Sequence, residues 1–127
     1  MFRRLSMLFA FNLAAVGLLG CNSSPPSPSD PAVGRETLQS ALDAWKQGQS
    51  HDAYQQTAAT VTVVDKQWKD GAKLLEFEIL DEGVADGFDV QFKAKLEVKD
   101  ASGKQSKHKA VYNVSTTPAR VIVRAME

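Results

Sequence analysis

Apolar side chains recur with helical spacing in the stretch RETLQSALDAWKQGQ. Positions i, i+3, i+4 and i+7 lie on one stripe of a helix, and they are occupied here by Leu38, Ala41, Leu42 and Trp45. The pattern predicts an amphipathic helix with Trp45 in the protein core. Asp30 or Ser29 before Pro31 is expected to cap its first turn. Gly48 is expected to stop it.

The stretch HDAYQQTA is predicted to form a second short helix. After it, the spacing of apolar residues changes from helical to alternating. In FDVQFKAKLEVKD every second residue is apolar: Phe88, Val90, Phe92, Ala94, Leu96 and Val98. Strict alternation predicts a long strand with one buried and one solvated face. Further strands are predicted in VTVVD, in AKLLEFEIL with Leu75, Phe77 and Ile79 on one face, in KHKAVYNVST with Ala110, Tyr112 and Val114 inward, and in ARVIVRAM after Pro118.

The strands are separated by DEGVADG and DASGK, which contain the turn residues Gly and Asp. Because these turns are short, we expect each strand to pair with its neighbour in sequence. The predicted fold is α+β, with an N-terminal helix packed on a curved four- to five-stranded antiparallel meander sheet.

This order of elements resembles the cystatin-like superfold, which includes the nuclear-transport-factor-like group. The stretches ALDAWKQGQS and VTVVDKQW, followed by the long paired strands, also look like small domains of planctomycete-type bacteria. Both resemblances cover about residues 34–127 and imply an architecture, not an activity. The Gln-x-Val-x-Gly hairpin of inhibitory cystatins is missing, so the resemblance does not imply protease inhibition.

The longest apolar run follows a basic start at the N-terminus and extends from Leu5 to Leu19. This is the layout of a secretory signal peptide, and it is short for a membrane span of about 20 apolar residues. The run ends in Leu18-Leu19-Gly20-Cys21, which resembles the lipobox of bacterial lipoproteins. The resemblance implies a diacylglycerol on the Cys21 thiol and cleavage before that residue. An ordinary signal peptide with an incidental cysteine, or a retained anchor, are the alternatives.

The chain is therefore divided into a signal peptide (1–20), a Ser/Pro-rich linker (21–33) and an α+β domain (34–127). The linker has almost no apolar residues and is expected to be extended and disordered. Acyl chains on Cys21 would anchor the domain stably to a membrane. We expect an exported protein of the cell envelope that faces the periplasm or the cell exterior.

The charges of the 127 residues balance, with 15 basic against 15 acidic. Removal of two arginines with the signal peptide leaves 13 against 15, a net charge of about −2, which gives no general attraction to nucleic acid. The strongest surface feature is a set of six lysines expected on the outer sheet face: Lys93, Lys95, Lys99, Lys104, Lys107 and Lys109. This face is either a solvated surface that discourages edge pairing or a weak contact for acidic envelope polymer or lipid head groups.

Few residues have the arrangement that catalysis requires. His51 and Asp52 are adjacent and are either an acid–base pair or the start of the next helix turn, whereas His108 is predicted to be a solvated strand residue. The acidic stretch LDEGVADGFD either offers oxygen ligands for calcium or is only a turn. The candidate ligands are Asp81, Glu82, Asp86 and Asp89. No zinc spacing, phosphate loop or nucleophile elbow is present. The sequence predicts no catalytic residue, metal or cofactor.

Three functions remain open at this point. The favoured hypothesis is a non-catalytic, lipid-anchored envelope module that binds a protein or a polymer. The alternative is a small-molecule binder or small enzyme with a pocket between helix and sheet, with His51, Asp52, Tyr54 or Trp68 at its mouth. The third is an assembly subunit that pairs through an edge strand at 119–125.

Overall fold

Residues 28–125, the part of the chain that the computed structural model describes, form three helices and six strands. In chain order they are α1 (Pro31–Lys46), α2 (His51–Thr57), β1 (Val61–Val64), α3 (Lys66–Lys69), β2 (Lys73–Ile79), β3 (Val84–Asp86), β4 (Asp89–Lys99), β5 (Gln105–Ser115) and β6 (Arg120–Arg124). The helix α3 and the strand β3 are additions to the predicted elements. The proposed lipidation site, Cys21, lies outside the described residues.

Helix α1 is capped and stopped at the predicted residues, but it begins at Pro31, so the last residues of the segment 21–33 that was expected to be a disordered linker belong to the folded domain. The Asp30 side chain accepts hydrogen bonds from the backbone N–H groups of Ala32 and Val33, so it satisfies two otherwise unpaired donors of the first turn. At the other end the N–H of Gly48 donates to the Trp45 carbonyl, with a φ of 98° at the glycine. Glycine reaches this left-handed conformation at little cost, so it is suited to close a helix.

The sheet is mixed, in the order β1-β6-β5-β4-β2, with β3 also paired to β4. The pairing of β1 with β6 is parallel, and the other pairings are antiparallel. The prediction of an entirely antiparallel, sequential meander is therefore not confirmed, because α3 and the turn after it carry the chain away from β1. Strand β6 lies between β1 and β5, so the predicted edge strand at 119–125 is an interior strand.

In two strands, β2 and β4, a terminal residue predicted on the buried face is not buried there. A register shift between Leu74 and Glu76 places Leu74 in the core and leaves Leu75 only half-buried. Such a bulge inserts a residue and inverts the alternation beyond it. Phe88 is 57% exposed, because it lies in the turn between β3 and β4 rather than in the long strand.

The core lies between α1 and the inner face of the curled sheet, which confirms the α+β architecture. Helix α1 crosses β2, β4, β5 and β6. The largest fully buried side chains come from both layers and include Trp45, Tyr112, Phe92, Leu38, Leu42, Leu96 and Ile122. The buried face of α1 and the alternating face of β4 are those that the sequence predicts.

Side chains of α2 occupy the free edge of β1. The amide of Gln55 donates to the Val61 carbonyl and accepts from the Val63 N–H, both at 2.6 Å. The His51 Nε2 atom lies 2.8 Å from the Val63 carbonyl oxygen. An exposed strand edge is a template for pairing with another chain, so these side chains stand in for a missing neighbour.

Candidate functional site

A solvent-open cleft of about 850 Å³ lies at one end of the inner sheet face. Its walls come from α3 and the residues between α3 and β2, from the turn between β4 and β5, and from His108 of β5 and Arg124 of β6. Its volume lies in the range of small-molecule sites, roughly 300–1,000 Å³. The cleft is therefore the main candidate for a binding site among the described residues.

A buried carboxylate underlies the cleft. Asp65 is 3% exposed and caps α3, since its Oδ1 atom accepts from the backbone N–H groups of Gln67 and Trp68 at 3.1 and 3.3 Å. Its Oδ2 atom accepts from the Tyr112 hydroxyl at 2.8 Å, and the Arg124 Nη1 atom lies 3.3 Å from Oδ1. Four donors thus surround one charged group, which offsets the cost of burying it.

Arg124 links this carboxylate to the polar side chains of the cleft. Its Nη1 atom donates to Gln67 Oε1 at 2.5 Å, and its Nη2 atom lies 2.7 Å from His108 Nε2. A guanidinium group only donates hydrogen bonds, so His108 Nε2 must accept and the ring proton must lie on Nδ1. His108 is half-buried on the inner face, and the prediction of a solvated strand residue is wrong.

Tyr112 is held in its neutral form. Burial, and then the negative charge of Asp65, raise the pKa of its phenol well above the usual value. The side chain is 1% exposed, and its hydroxyl donates a hydrogen bond to the Asp65 carboxylate. Tyr112 and Asp65 therefore bind each other, and Asp65 holds Arg124 in place. Neither Tyr112 nor Asp65 lines the cleft.

The four residues predicted at a pocket mouth, His51, Asp52, Tyr54 and Trp68, lie close together at the edge of the core. Trp68 is 3% exposed, stacks on Trp45 with ring centroids 5.5 Å apart and has Tyr54 at 5.3 Å. His51 and Asp52 line a smaller cavity of about 210 Å³, with Nδ1 and Oδ1 3.1 Å apart. Since the other His51 nitrogen faces the Val63 carbonyl, the pair contributes to the β1 edge described above. Trp68 lines the same cavity although it is nearly buried, so three of the four predicted residues border it and Tyr54 does not.

The acidic turn shows no cation site. Asp81 accepts a hydrogen bond from the Gly83 N–H at 3.1 Å, which is the ordinary role of Asp in a turn. Within residues 28–125, no group of three or more His, Cys, Asp or Glu side chains is placed to hold a metal ion. The calcium interpretation has no geometric support there.

Five of the six lysines are exposed on the outer sheet face as predicted, whereas Lys104 lies in the turn between β4 and β5. Lys95 pairs with Lys109 across β4 and β5, and Glu97 pairs with Lys107. On the other side of β4, Glu78 pairs with Lys95. Positive charge therefore increases from β2 towards β5 across this face.

The residues that sequence reasoning missed are Asp65, Gln67 and Arg124. One signal in the sequence points to Asp65 and another to Arg124, whereas none marks Gln67. Asp65 follows the strand VTVV and precedes KQWK, the position of a helix cap. Arg124 has the same parity in RVIVR as the buried Ile122, so strand alternation places it on the inner face. A charge at an inward position requires a buried partner, and Asp65 is that partner.

Comparison with known proteins adds no relative. The chain matches no protein-family model, no curated protein and no solved structure. Among residues 28–125, no helix has the length and apolar character needed to cross a membrane. Functional inference therefore depends on the cleft and on the sequence.

Proposed function

We propose that this protein is a lipid-anchored domain of the cell envelope that binds a small ligand in the cleft beside Arg124. The observation that carries the proposal is the cleft itself, with Arg124, His108 and Gln67 joined in one network above a buried carboxylate. Polar groups that are already oriented need little reordering when a ligand binds. This is the small-molecule alternative of the sequence analysis, located in a different place.

Binding is favoured over catalysis by the state of the polar groups. Asp65 accepts from four donors and is buried, so it has no spare position from which to take a proton from a ligand. The Tyr112 hydroxyl already donates its hydrogen bond to that carboxylate. The cleft therefore offers hydrogen bonds and shape, which are the properties of a binding site.

A cleft-filling variant tests ligand binding. Full-length protein in detergent would be incubated with a cell extract, and the small molecules it retains would be identified by mass spectrometry after denaturation. Ala101→Trp places a large side chain at an exposed position of the cleft wall, and Ala119→Trp places the same side chain at an exposed position outside it. We expect a retained compound that is lost in the first variant only. Equal retention in both variants would contradict the proposal.

The anchor is supported by Leu18-Leu19-Gly20-Cys21 and by the linker that follows. Its test is the intact mass of the N-terminal peptide from the membrane fraction, beside a Cys21→Ala variant. A peptide that begins at Cys21 and carries added acyl mass, absent from the variant, is the expected result. An unmodified N-terminus would remove the anchor from the proposal.

A second candidate function uses the outer face, where Lys95, Lys107 and Lys109 are exposed on adjacent strands. This arrangement favours weak binding of an acidic envelope polymer. Replacement of Lys95 and Lys109 by Glu should abolish retention on immobilised polyglutamate at low salt, while Lys46→Glu on α1 should not. Retention of the double variant would exclude this face.

The cystatin-like relationship is also a proposal. The packing of α1 on a curled sheet supports this relationship. The parallel pairing of β1 with β6 is not expected of an antiparallel cystatin-like meander. An experimental structure of one of the planctomycete-type domains would test the relationship. The same parallel pair between its first and last strands would favour common descent, and an antiparallel meander would oppose it.

A further inference from the structure

The chain enters the folded domain beside the turn between β3 and β4. The Ser29 N–H donates to the Phe88 carbonyl at 2.9 Å, and the Ser29 hydroxyl accepts from the Thr116 N–H at 2.8 Å. The Asp30 N–H donates to Thr116 Oγ1 at 2.9 Å. These hydrogen bonds fix the point at which the segment that follows Cys21 joins the domain.

The same end of the sheet carries an exposed apolar tip, which consists of Leu80, Val84 and Phe88. Phe88 lies in the turn just before β4, Val84 pairs with Gln91, and the Leu80 N–H donates to the Lys93 carbonyl. Val84 is 60% exposed, and the other two are also exposed. Single exposed apolar residues are common, but three within residues 80–88 indicate a contact surface.

The proposed lipid anchor is close to this tip along the chain. Cys21 precedes Pro28 by seven positions, and a chain of that length spans at most about 25 Å. Since the chain enters beside Phe88, acyl chains on Cys21 would keep the apolar tip near the membrane. The covalent link makes contact with the membrane an intramolecular event, so even a weak apolar contact would be formed for much of the time.

We propose that the apolar tip inserts into the head-group region of the membrane that holds the anchor. The domain then stands with the β3–β4 turn towards the lipid. The cleft lies at the membrane-distal end, because it borders the β4–β5 turn, and β4 extends about 30 Å from Val90 to Lys99. This inference rests on the lipid anchor of the proposed function and adds the surface that contacts the bilayer.

The charges around the tip indicate which lipid it contacts. Residues 80–89 contain four carboxylates and no basic residue: Asp81, Glu82, Asp86 and Asp89. Arg35 Nε donates to the Asp81 carbonyl and offsets part of this charge. Lys99 and Lys104 lie at the opposite end of β4. Anionic lipid attracts basic segments, so the tip is suited to lipid without net charge.

Two labelled positions test this orientation. Acylation would occupy the thiol of Cys21, the only cysteine of the chain, so an introduced cysteine can be labelled selectively. Ala85→Cys is beside the tip and Ala101→Cys is in the β4–β5 turn, and both alanines are exposed. Each full-length variant, with its acylation confirmed by mass, would carry the same fluorophore in phosphatidylcholine vesicles that contain a nitroxide-head-group lipid. We expect strong quenching at position 85 and almost none at position 101.

Substitutions of Phe88 in the Ala85→Cys variant test the apolar contact itself. Phe88→Ser should reduce the quenching, whereas Phe88→Leu keeps an apolar side chain and should retain it. Addition of anionic phosphatidylglycerol should also reduce the quenching, because the carboxylates beside the tip repel it.

The comparison of positions 85 and 101 decides the inference even if a Phe88 variant fails to fold. Equal quenching at both positions, or stronger quenching at 101, would overturn the inference and leave the anchor standing. Fluorescence at position 85 that changes with protein concentration in detergent would assign the tip to a second copy of the chain and would also overturn it. Failure of the anchor is detected separately, as an N-terminal peptide without acyl mass, and would overturn both proposals.

Discussion

Asp65 stabilises three elements with one side chain. It caps α3, accepts a hydrogen bond from the Tyr112 hydroxyl on β5 and pairs with Arg124 on β6. Removing one member of a buried ion pair leaves the other charged and unpaired, which costs more than the loss of a surface contact. The stability of this region should therefore depend strongly on a residue that has almost no contact with solvent.

We predict that Asp65→Ala lowers the free energy of unfolding by about 3–5 kcal/mol. The Arg124–Asp65 pair is broken in a site where the two side chains are only 13% and 1% exposed. Asp70→Ala removes the partner of Lys66 in an exposed pair and should cost about 1 kcal/mol or less. Urea denaturation of both variants checks the difference, and similar losses would show that the buried network is not stabilising.

The two tyrosines should ionise late. Burial raises the pKa of Tyr54, and burial with the Asp65 charge raises that of Tyr112 well above the usual value. A raised pKa in the folded state means that the neutral phenol is favoured there, so this stabilisation is complete below about pH 10 and is lost at higher pH. Tyrosinate absorbance should lag behind that of free tyrosine and rise sharply with alkaline unfolding. Ordinary titration of both groups in the folded protein would contradict this.

At the scale of elements, β1 depends on α2. The strand pairs with β6 on one side and with two side chains of a seven-residue helix on the other. The helix is too short to be stable alone, so packing and these hydrogen bonds must hold it. Strand and helix should therefore be lost together.

Gln55→Ala should lower the free energy of unfolding by about 1–3 kcal/mol, because it leaves the Val61 carbonyl and the Val63 N–H without partners. It should also increase self-association through the uncovered edge. Gln56→Ala on the same helix is exposed and should have little effect. Thermal unfolding and light scattering measure the two consequences. Equal behaviour of the variants would mean that the edge needs no cover.

The turn before β3 requires glycine. Gly83 has a φ of 99°, and a Cβ atom there would lie 2.6 Å from Val90 Cγ1 and 2.8 Å from Phe92 Cε1. Gly83→Ala should therefore cost more than Gly103→Ala, for which φ is 92° but the nearest atom lies 4.0 Å away. The second variant should cost about 1–3 kcal/mol for backbone strain alone. Melting temperatures give the comparison, and equal shifts would mean that the core yields to the added methyl group.

Local pattern predicts the elements better than it predicts their partners. The stripe of α1 and the alternation of β4 are repeated signals, and the structure confirms both. The pairing of β1 with β6 joins distant segments through backbone groups that have no sequence signature. Of the site, only His108 was considered, and its environment was misassigned because its partner Arg124 is close in space but belongs to another strand.

At the scale of the whole molecule, β4 and β5 form the stable centre. They pair from Val90–Val114 to Lys99–Gln105, whereas β1 is a four-residue edge strand. We predict that amide hydrogen exchange of the full-length protein is slowest at inward positions of β4 and β5 and fastest, among the strands, in β1 and β3. Protection of β1 equal to that of β4 would show that the sheet opens only as one unit.

The parallel pairing of β1 with β6 also has a consequence for the order of biosynthesis. Residues 61–64 have no strand to join until residues 120–124 have been made, and the Asp65–Arg124 pair closes a separation of 59 residues. Contacts of such long range form late in folding. A nascent chain would therefore lack the β1–β6 pairing and the Asp65–Arg124 pair until its last strand emerged. This delay suits the proposed secretory signal, because a chain without a closed core can still be threaded through a translocation channel.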